Sequence, residues 1–350
     1  MKIAARPSRV FFLLELGLLQ LVGYQFEVIR LKVIRKMPTL RVTVAVITFN
    51  RSSFLRETLT GLVRQNYPAG CWELLVIDNN STDDTREVVS SFLAATPSPR
   101  WILEERAGLD FGRNRAIGEA HGEVIALVDD DILMEPDWLA QLVAPFSGQP
   151  PLPVGVVGGE VVPIFPDGIP EWLKGTHRPL KFRKDPGALP PGQAPMGANF
   201  AFPKWVFERF GRFDTHLDRK GAALFGGGDS EMIRRVRAGG LEAWFVPGAK
   251  VLHQIPAARL TLRYALRHAF DSARSRVVDR VRVLREARRS ALPFLASRAI
   301  ASAFKLAGFL IACGACSVVF SRGRAKRALV RAWRCCGYLY QIARSAIGKI

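Results

Sequence analysis

The chain has 350 residues, 49% of them hydrophobic, enough for one large buried core with appendages. Its formal charge of +19 sits at the ends: residues 1–36 hold 7 basic and 2 acidic residues and 259–350 hold 20 and 3, leaving 23 basic against 26 acidic for 37–258. A nucleic-acid-binding body, which would interleave basic and aromatic residues on a folded face, does not fit that slightly acidic middle.

The first apolar run, Val10–Val22 (VFFLLELGLLQLV), is short of the roughly 20 residues a membrane span needs and lacks a small-residue cleavage site. It reads as a membrane-proximal segment within 1–36, not as a secretion signal. Three buried parallel strands follow at Val42–Ile47, Glu73–Ile77 and Glu123–Val128, short apolar runs rich in β-branched residues. Between them, Ser53–Val63 places Phe54, Leu55, Leu59, Leu62 and Val63 on one helical face. Ser81–Leu93 opens with capping residues and turns Val88, Val89, Phe92 and Leu93 inward. This alternation predicts an α/β sheet with right-handed crossovers. A helix is expected over Pro136–Val143 and another over Ser230–Arg237. Residues 146–227 are rich in Pro and Gly and read as a loop-rich half wrapped against the sheet.

Near the C-terminus, Ala299–Phe320 is long enough to span a bilayer and is interrupted only by Lys305. Arginines flank it on both sides, Arg282, Arg285, Arg288, Arg289 and Arg298 before it and Arg322, Arg324 and Arg327, with Lys326, after it. A single crossing would leave one basic flank on the wrong side, so an in-plane or re-entrant helix on an anionic, cytoplasmic membrane face is expected. The bland alternative is a helix buried against the catalytic domain. Cys313 and Cys316 form a CxxC inside this run, but no second CxxC accompanies it. Reduced, packing cysteines are expected, not zinc ligands. The chain thus divides into 1–36, a catalytic unit 37–258 (halves 37–145 and 146–258), and a basic helical region 259–350.

Each of the three strands delivers polar residues at its carboxyl end: Thr48, Phe49 and Asn50; Asp78, Asn79 and Asn80; Asp129, Asp130 and Asp131. In open α/β sheets that edge is where ligands sit. Three adjacent carboxylates repel unless a cation or hydrogen bonds compensate, and the outer two of an extended turn can face one ligand. One could hold a divalent ion such as Mn²⁺ or Mg²⁺ and the other a sugar hydroxyl. The structural alternative is a solvated acidic turn. Asp78 is either a turn-former or an acceptor for a base imide N–H, and Phe49 either wall or stacking surface. Asp229, after Gly226-Gly227-Gly228, is a helix N-cap or a general base close to an acceptor hydroxyl. His253 is structural or a late metal ligand.

At these residues the chain resembles the family 2 glycosyltransferases, inverting enzymes of the GT-A fold. The resemblance covers about Val42 to His253. It rests on VAVITFNR (44–51), VIDNNSTDDT (76–85), GLDFGRNRAIGEAHGEVIALVDDD (108–131), GANFAF (197–202) and GGGDSEM (226–232), in the family's order. The stretch around GLDFGRNRA is most similar to bacterial exopolysaccharide and lipid-linked oligosaccharide transferases. The resemblance implies a GT-A fold with a mostly parallel sheet, and donor contacts from Thr48, Phe49, Asn50, Asp78, Arg113, Asp129 and Asp130. Phe49 and Asp78 would meet the nucleobase, Arg113 the donor phosphates, and Asp129 the ribose or sugar. Asp131, with His253, would bind the metal, and Asp229 would deprotonate the acceptor. The implied activity is transfer of one sugar from a nucleotide-diphosphate sugar, UDP-linked by default, to a glycan or lipid-linked hydroxyl.

Two departures stand out: the family often carries Glu where this chain has Gly228, and the Gln-x-x-Arg-Trp signature of processive synthases is missing. Single addition is therefore favoured over polymerisation. Dinucleotide and P-loop fingerprints do not occur. The remaining rival is a non-catalytic sugar-nucleotide-binding or scaffold protein at the membrane.

Overall fold

The structure is a computed structural model that describes residues 39–92, 99–148, 153–217, 226–318 and 322–347. The N-terminal run Val10–Val22, and residues 319–320 of the C-terminal run, lie outside them.

The expected strands form as β1 (Val42–Thr48), β2 (Trp72–Asp78) and, after a short β3 (Arg100–Leu103), β4 (Val124–Asp129). Helices α1 (Ser52–Val63), α2 (Thr85–Phe92) and α3 (Leu109–Glu119) connect them. All four strands are parallel, in the order β3-β2-β1-β4. Successive β1 residues feed opposite faces, as an all-parallel sheet covered on both sides requires. Val44 and Val46 pack with Leu55, Leu59 and Trp138, and Ala45 and Ile47 with Leu75, Ile117 and Phe200. Full burial of each such aliphatic side chain is worth about 1.5–3 kcal/mol.

Helix α2 starts at Thr85, four residues later than its sequence pattern suggests. The Ser81 N–H donates to Asp78 Oδ1 (2.9 Å), the Thr82 N–H to Asn50 Oδ1 (2.7 Å), and the Asp83 carboxylate accepts from the backbone of Ser52 and Thr85. These polar residues tie two strand tips together, which competes with the first helical turn.

Past β4 the chain forms β5 (Ile132–Met134), α4 (Trp138–Ser147), β6 (Val154–Ile164), β7 (Gly187–Ala188), β8 (Asn199–Pro203), α5 (Lys204–Phe210), α6 (Gly228–Ala238) and β9 (Glu242–Gln254). The half expected to be loop-rich therefore contributes strands to the same sheet. β8 pairs antiparallel with β4 and β6, and β9 runs parallel to β6 and antiparallel to β5 and β7. The sheet is parallel on the β1 side and mixed beyond β4, with β9 carrying His253 beside Ile132 and so beside the aspartate triplet.

Three long helices follow: α7 (Leu262–Glu286), α8 (Leu292–Val318) and α9 (Arg322–Ala346). α7 is bonded to the sheet-bearing body by Arg234–Asp279 (2.6 Å), by an Arg282–Asp214 pair, and by the Gly226 N–H to Ser275 Oγ (3.0 Å). From α9, the Arg327 guanidinium donates to the Trp172 carbonyl (3.0 Å), and Val330 joins a cluster with Trp172, Ile255 and Leu260. α8 differs. Its stretch Leu292–Cys316 has a mean hydropathy of 1.8, long and apolar enough to cross a bilayer, yet only 6% of that apolar window is buried.

Candidate active site

Parallel register brings the strand tips together: Thr48 lies beside Asp78, and Ile47 beside Asp129. Phe49 stands 54% exposed at the rim, available to a flat ligand. Asn50, also exposed, is tied to the second strand tip: its backbone turns through a left-handed φ of 51°, its N–H donates to Ser81 Oγ (3.0 Å), and its side-chain oxygen accepts from Thr82. Asp78 is buried and accepts the Ser81 N–H. Asn79 acts as a brace. Its amide donates to the carbonyls of Glu104 and Arg106, and its oxygen accepts the Gly108 N–H, which fixes the start of α3.

The three aspartates divide. Asp130 turns inward, accepting from the Thr48 hydroxyl (2.8 Å) and from Arg51 Nη1 (2.8 Å). Burial pushes its carboxyl up to about 6, with Asp131 adding to the shift and Arg51 opposing it. Asp131 shares Arg51 Nη1 with Asp130, and both it and Asp129 lie close to His253. Together with His253 they present ligand atoms all within 4.8 Å of one another. Asp131 is fully buried, and its Oδ2 accepts from Arg51 (2.7 Å) and Arg259 (3.4 Å). Burial would raise this carboxyl, but His253, Arg51 and Arg259 hold it below the usual carboxylate range.

A divalent ion fits here on a specific observation. Asp131 Oδ1 and His253 Nε2 face each other at 3.1 Å, both buried, and neither makes a well-formed hydrogen bond to any group. Two buried ligand atoms that meet each other without a well-formed hydrogen bond, beside a third carboxylate, make a donor set suited to a small cation.

A cavity of about 430 Å³ opens beside them, lined among others by Asp129, His253, Arg259, Arg113, Gly197 and Asp229. Asp229 is the second residue of α6, whose cap position is Gly227, and its carboxylate makes no capping bond. Instead, Oδ1 accepts from Arg113 Nη1 (2.5 Å) and Oδ2 from the Gly197 N–H (3.1 Å), leaving the side chain 34% exposed to the cavity. Arg113, on α3, is buried and also pairs with Asp110 (2.9 Å). Its guanidinium is held above its ordinary pKa by Asp229 and Asp110, although burial works against the charge. The structure thus brings Asp129, Asp131 and His253 together, and gives Arg113 to Asp229.

Gly228 acquires an explanation. A Cβ there would sit 2.3 Å from Asp110 Oδ2, so the carboxylate of Asp110 occupies the space a larger residue at 228 would enter. Sequence reasoning did not single out Asp110, Arg51 or Arg259. Arg51 follows directly on the strand tip and could have been read as a charge partner for the triplet. Arg259 carries no local signal.

Residues 43–211 match the family model for glycosyl transferase family 2. This is a family 2 glycosyltransferase domain. Glycosyltransferase AglE of Haloferax volcanii is 31% identical over 128 residues, covering 36% of this chain and 41% of the relative. Glucosyl-dolichyl phosphate glucuronosyltransferase of the same organism is 27% identical over 191 residues, covering 52% and 58%. The chain therefore spans about half the length of these two curated relatives. Among solved structures, mannosyltransferase PcManGT from Pyrobaculum calidifontis, in complex with GDP-Man and Mn²⁺, superposes with a TM-score of 0.57 at 21% identity, covering 87% of each chain. The glycosyltransferase domain has the GT-A fold, and the mixed sheet with its acidic rim is the part of it that the sequence motifs trace.

Proposed function

We propose that the chain is an inverting glycosyltransferase that moves one sugar from a nucleotide-diphosphate sugar, UDP-linked by default, to a hydroxyl of a glycan or lipid-linked acceptor in envelope or exopolysaccharide biosynthesis. The observation that carries this reading is a cavity lined by both Asp129 and His253, which group with the buried Asp131, and by a fixed, partly exposed carboxylate, Asp229. Phe49 and Asp78 receive the base, Asp129 the ribose or sugar, and Arg51 and Arg259 face the diphosphate. Asp131, with Asp129 and His253, would hold a divalent ion, Mn²⁺ or Mg²⁺, whose charge neutralises the departing diphosphate.

Asp229 takes the proton of the acceptor hydroxyl. The acceptor oxygen then bonds to the anomeric carbon from the face opposite the diphosphate, and the anomeric C–O bond breaks with its electron pair leaving on the nucleoside diphosphate. Arg113 and the Gly197 N–H hold the carboxylate in one orientation, so Arg113 is a positioning residue for the base. The scaffold alternative draws on Gly228, and Asp110 filling that space weakens it. The exposed apolar side of α8 and the basic C-terminal helices support a position on the cytoplasmic membrane face, with α8 in the membrane plane.

The test is calorimetric titration with UDP, with and without Mn²⁺, on the wild type and on Asp131→Ala. Metal-dependent binding lost in the variant supports the donor site. Binding of GDP or dTDP in its place changes the donor class only. No nucleotide binding under any metal would remove the transferase reading.

A further inference from the structure

A second concentration of charge lies away from the cavity, on the C-terminal helices. Residues 287–350 contain 12 Lys/Arg and no Asp or Glu. Cys313 faces Ala325, Phe309 faces Arg331 and Arg298 faces Tyr338, so α8 and α9 run antiparallel. Between them and α7 is a groove of about 300 Å³ lined by Arg276, Arg298, Lys305, Arg331 and Arg334 around Tyr338. It shares Lys305, Phe309 and Arg331 with a neighbouring hollow of about 480 Å³ that adds Arg324 and Arg327. Among the described residues, no carboxylate lines either space.

Among the described residues, the contacts of Arg276, Arg298 and Arg331 in the groove are to neutral groups. Arg276 donates to the Tyr338 hydroxyl (3.3 Å), Arg298 lies over the Tyr338 ring (3.9 Å) and Arg331 over Phe309 (5.9 Å). Burial would raise the Tyr338 phenol, yet Arg276 and Arg298 hold it below its ordinary value, as a positive potential in the groove requires. Gathering five cations around one hollow is unfavourable unless an anion enters it.

The rim of the groove identifies the anion's source. Gly308 lines the hollow, and the next face of α8 presents Ile300, Phe304 and Ile311, which are 60%, 77% and 73% exposed. They recur at helical spacing and form an apolar stripe beside the cations. A free phosphate would satisfy the arginines and leave the stripe unexplained. A lipid phosphate satisfies both.

We propose that the groove lined by Arg276, Arg298, Lys305, Arg331 and Arg334 binds the phosphate headgroup of an anionic membrane lipid, whose acyl chains lie along the Ile300–Phe304–Ile311 stripe. This rests on the membrane-surface reading above and adds to it a defined headgroup site.

The experiment is co-sedimentation of the full chain with phosphatidylcholine vesicles containing or lacking phosphatidylglycerol. It compares wild type, the groove variant R298Q/R331Q/R334Q, and a charge-matched control, R280Q/R285Q/R289Q, whose residues do not line the groove. General attraction to a charged surface weakens both variants equally. A headgroup site makes the groove variant bind phosphatidylglycerol vesicles at least tenfold more weakly than the control, and inorganic phosphate at millimolar concentration does not compete. Equal losses in the two variants, or full competition by inorganic phosphate, overturn the lipid site. Failure of the wild type to bind any vesicle overturns it together with the membrane reading. UDP titration of the same variants, expected to be unchanged, separates these outcomes from a failure of the transferase reading.

Discussion

Arg113 Nη1 lies 2.5 Å from Asp229 Oδ1 across 116 residues of sequence, and the same nitrogen lies 2.9 Å from Asp110. One buried guanidinium thus fixes a carboxylate that lines the cavity. A direct contact with donor phosphates would make Arg113 matter for nucleotide affinity, whereas a role through Asp229 makes it matter for turnover. Arg113→Lys, which keeps the charge and loses the planar fork, is expected to lower kcat about tenfold or more while the Kd for UDP stays within about twofold. Asp229→Asn should lower kcat by about 10²–10⁴ with the same unchanged Kd. A raised UDP Kd in Arg113→Lys would place that guanidinium at the donor instead.

The Arg113–Asp229 pair leaves no room at Gly197. A Cβ there would approach Asp229 Oδ2 to 2.2 Å and Arg113 Nη2 to 2.5 Å, and both atoms belong to the pinned pair. Gly197→Ala is expected to cost about 1–3 kcal/mol of stability by overpacking and to lower kcat at least as much as Arg113→Lys does. Thermal unfolding and turnover measured on one preparation check both. A variant of wild-type stability and activity would show that the pair is free to move.

The parts of this site legible in the sequence are those fixed locally. The strands ending at Thr48, Asp78 and Asp129 announce themselves as short β-branched runs, and the parallel rule then places their tips on one rim. What stays hidden depends on pairing across long stretches of chain. Arg259 reaches Asp131 over 128 residues, and Asp110 explains Gly228 only once α3 and α6 are seen to meet. β6 and β8 read as loop because glycine and proline interrupt VGVVGGEVVPI, and β8 is only five residues long. Their place in the sheet comes from partners on either side, which no local pattern encodes.

Asp214 ties the catalytic body to α7 and carries a pH signature. Burial would raise its carboxyl, but hydrogen bonds from Arg282 and from the His216 N–H hold it at about 2. A folded-state value below the unfolded one contributes stability that is present above about pH 4 and is lost as pH falls through about 2. The pair is partly solvated, so its worth at neutral pH is about 1 kcal/mol or less. Asp214→Asn should therefore be modestly less stable than wild type at pH 7, with the difference shrinking between pH 4 and pH 2. Thermal unfolding across that range decides it, and a difference independent of pH would assign the cost to packing.

The outward side of α8 separates folding from location. Ile300 and Phe304 are 60% and 77% exposed, so replacing them removes little buried surface. Ile300→Asp with Phe304→Asp is expected to leave the unfolding midpoint within the range of ordinary surface changes, about 0.5 kcal/mol each. In a bilayer interface the same carboxylates must be desolvated against acyl chains, which opposes insertion of the stripe. Membrane fractionation of cells expressing each form should move the double variant from the membrane pellet toward the soluble fraction, with UDP binding by the purified protein unchanged. Retention in the pellet at wild-type levels would mean that α8 does not hold the protein at the membrane. Loss of folded protein would mean that the stripe is covered from within the assembly rather than by lipid.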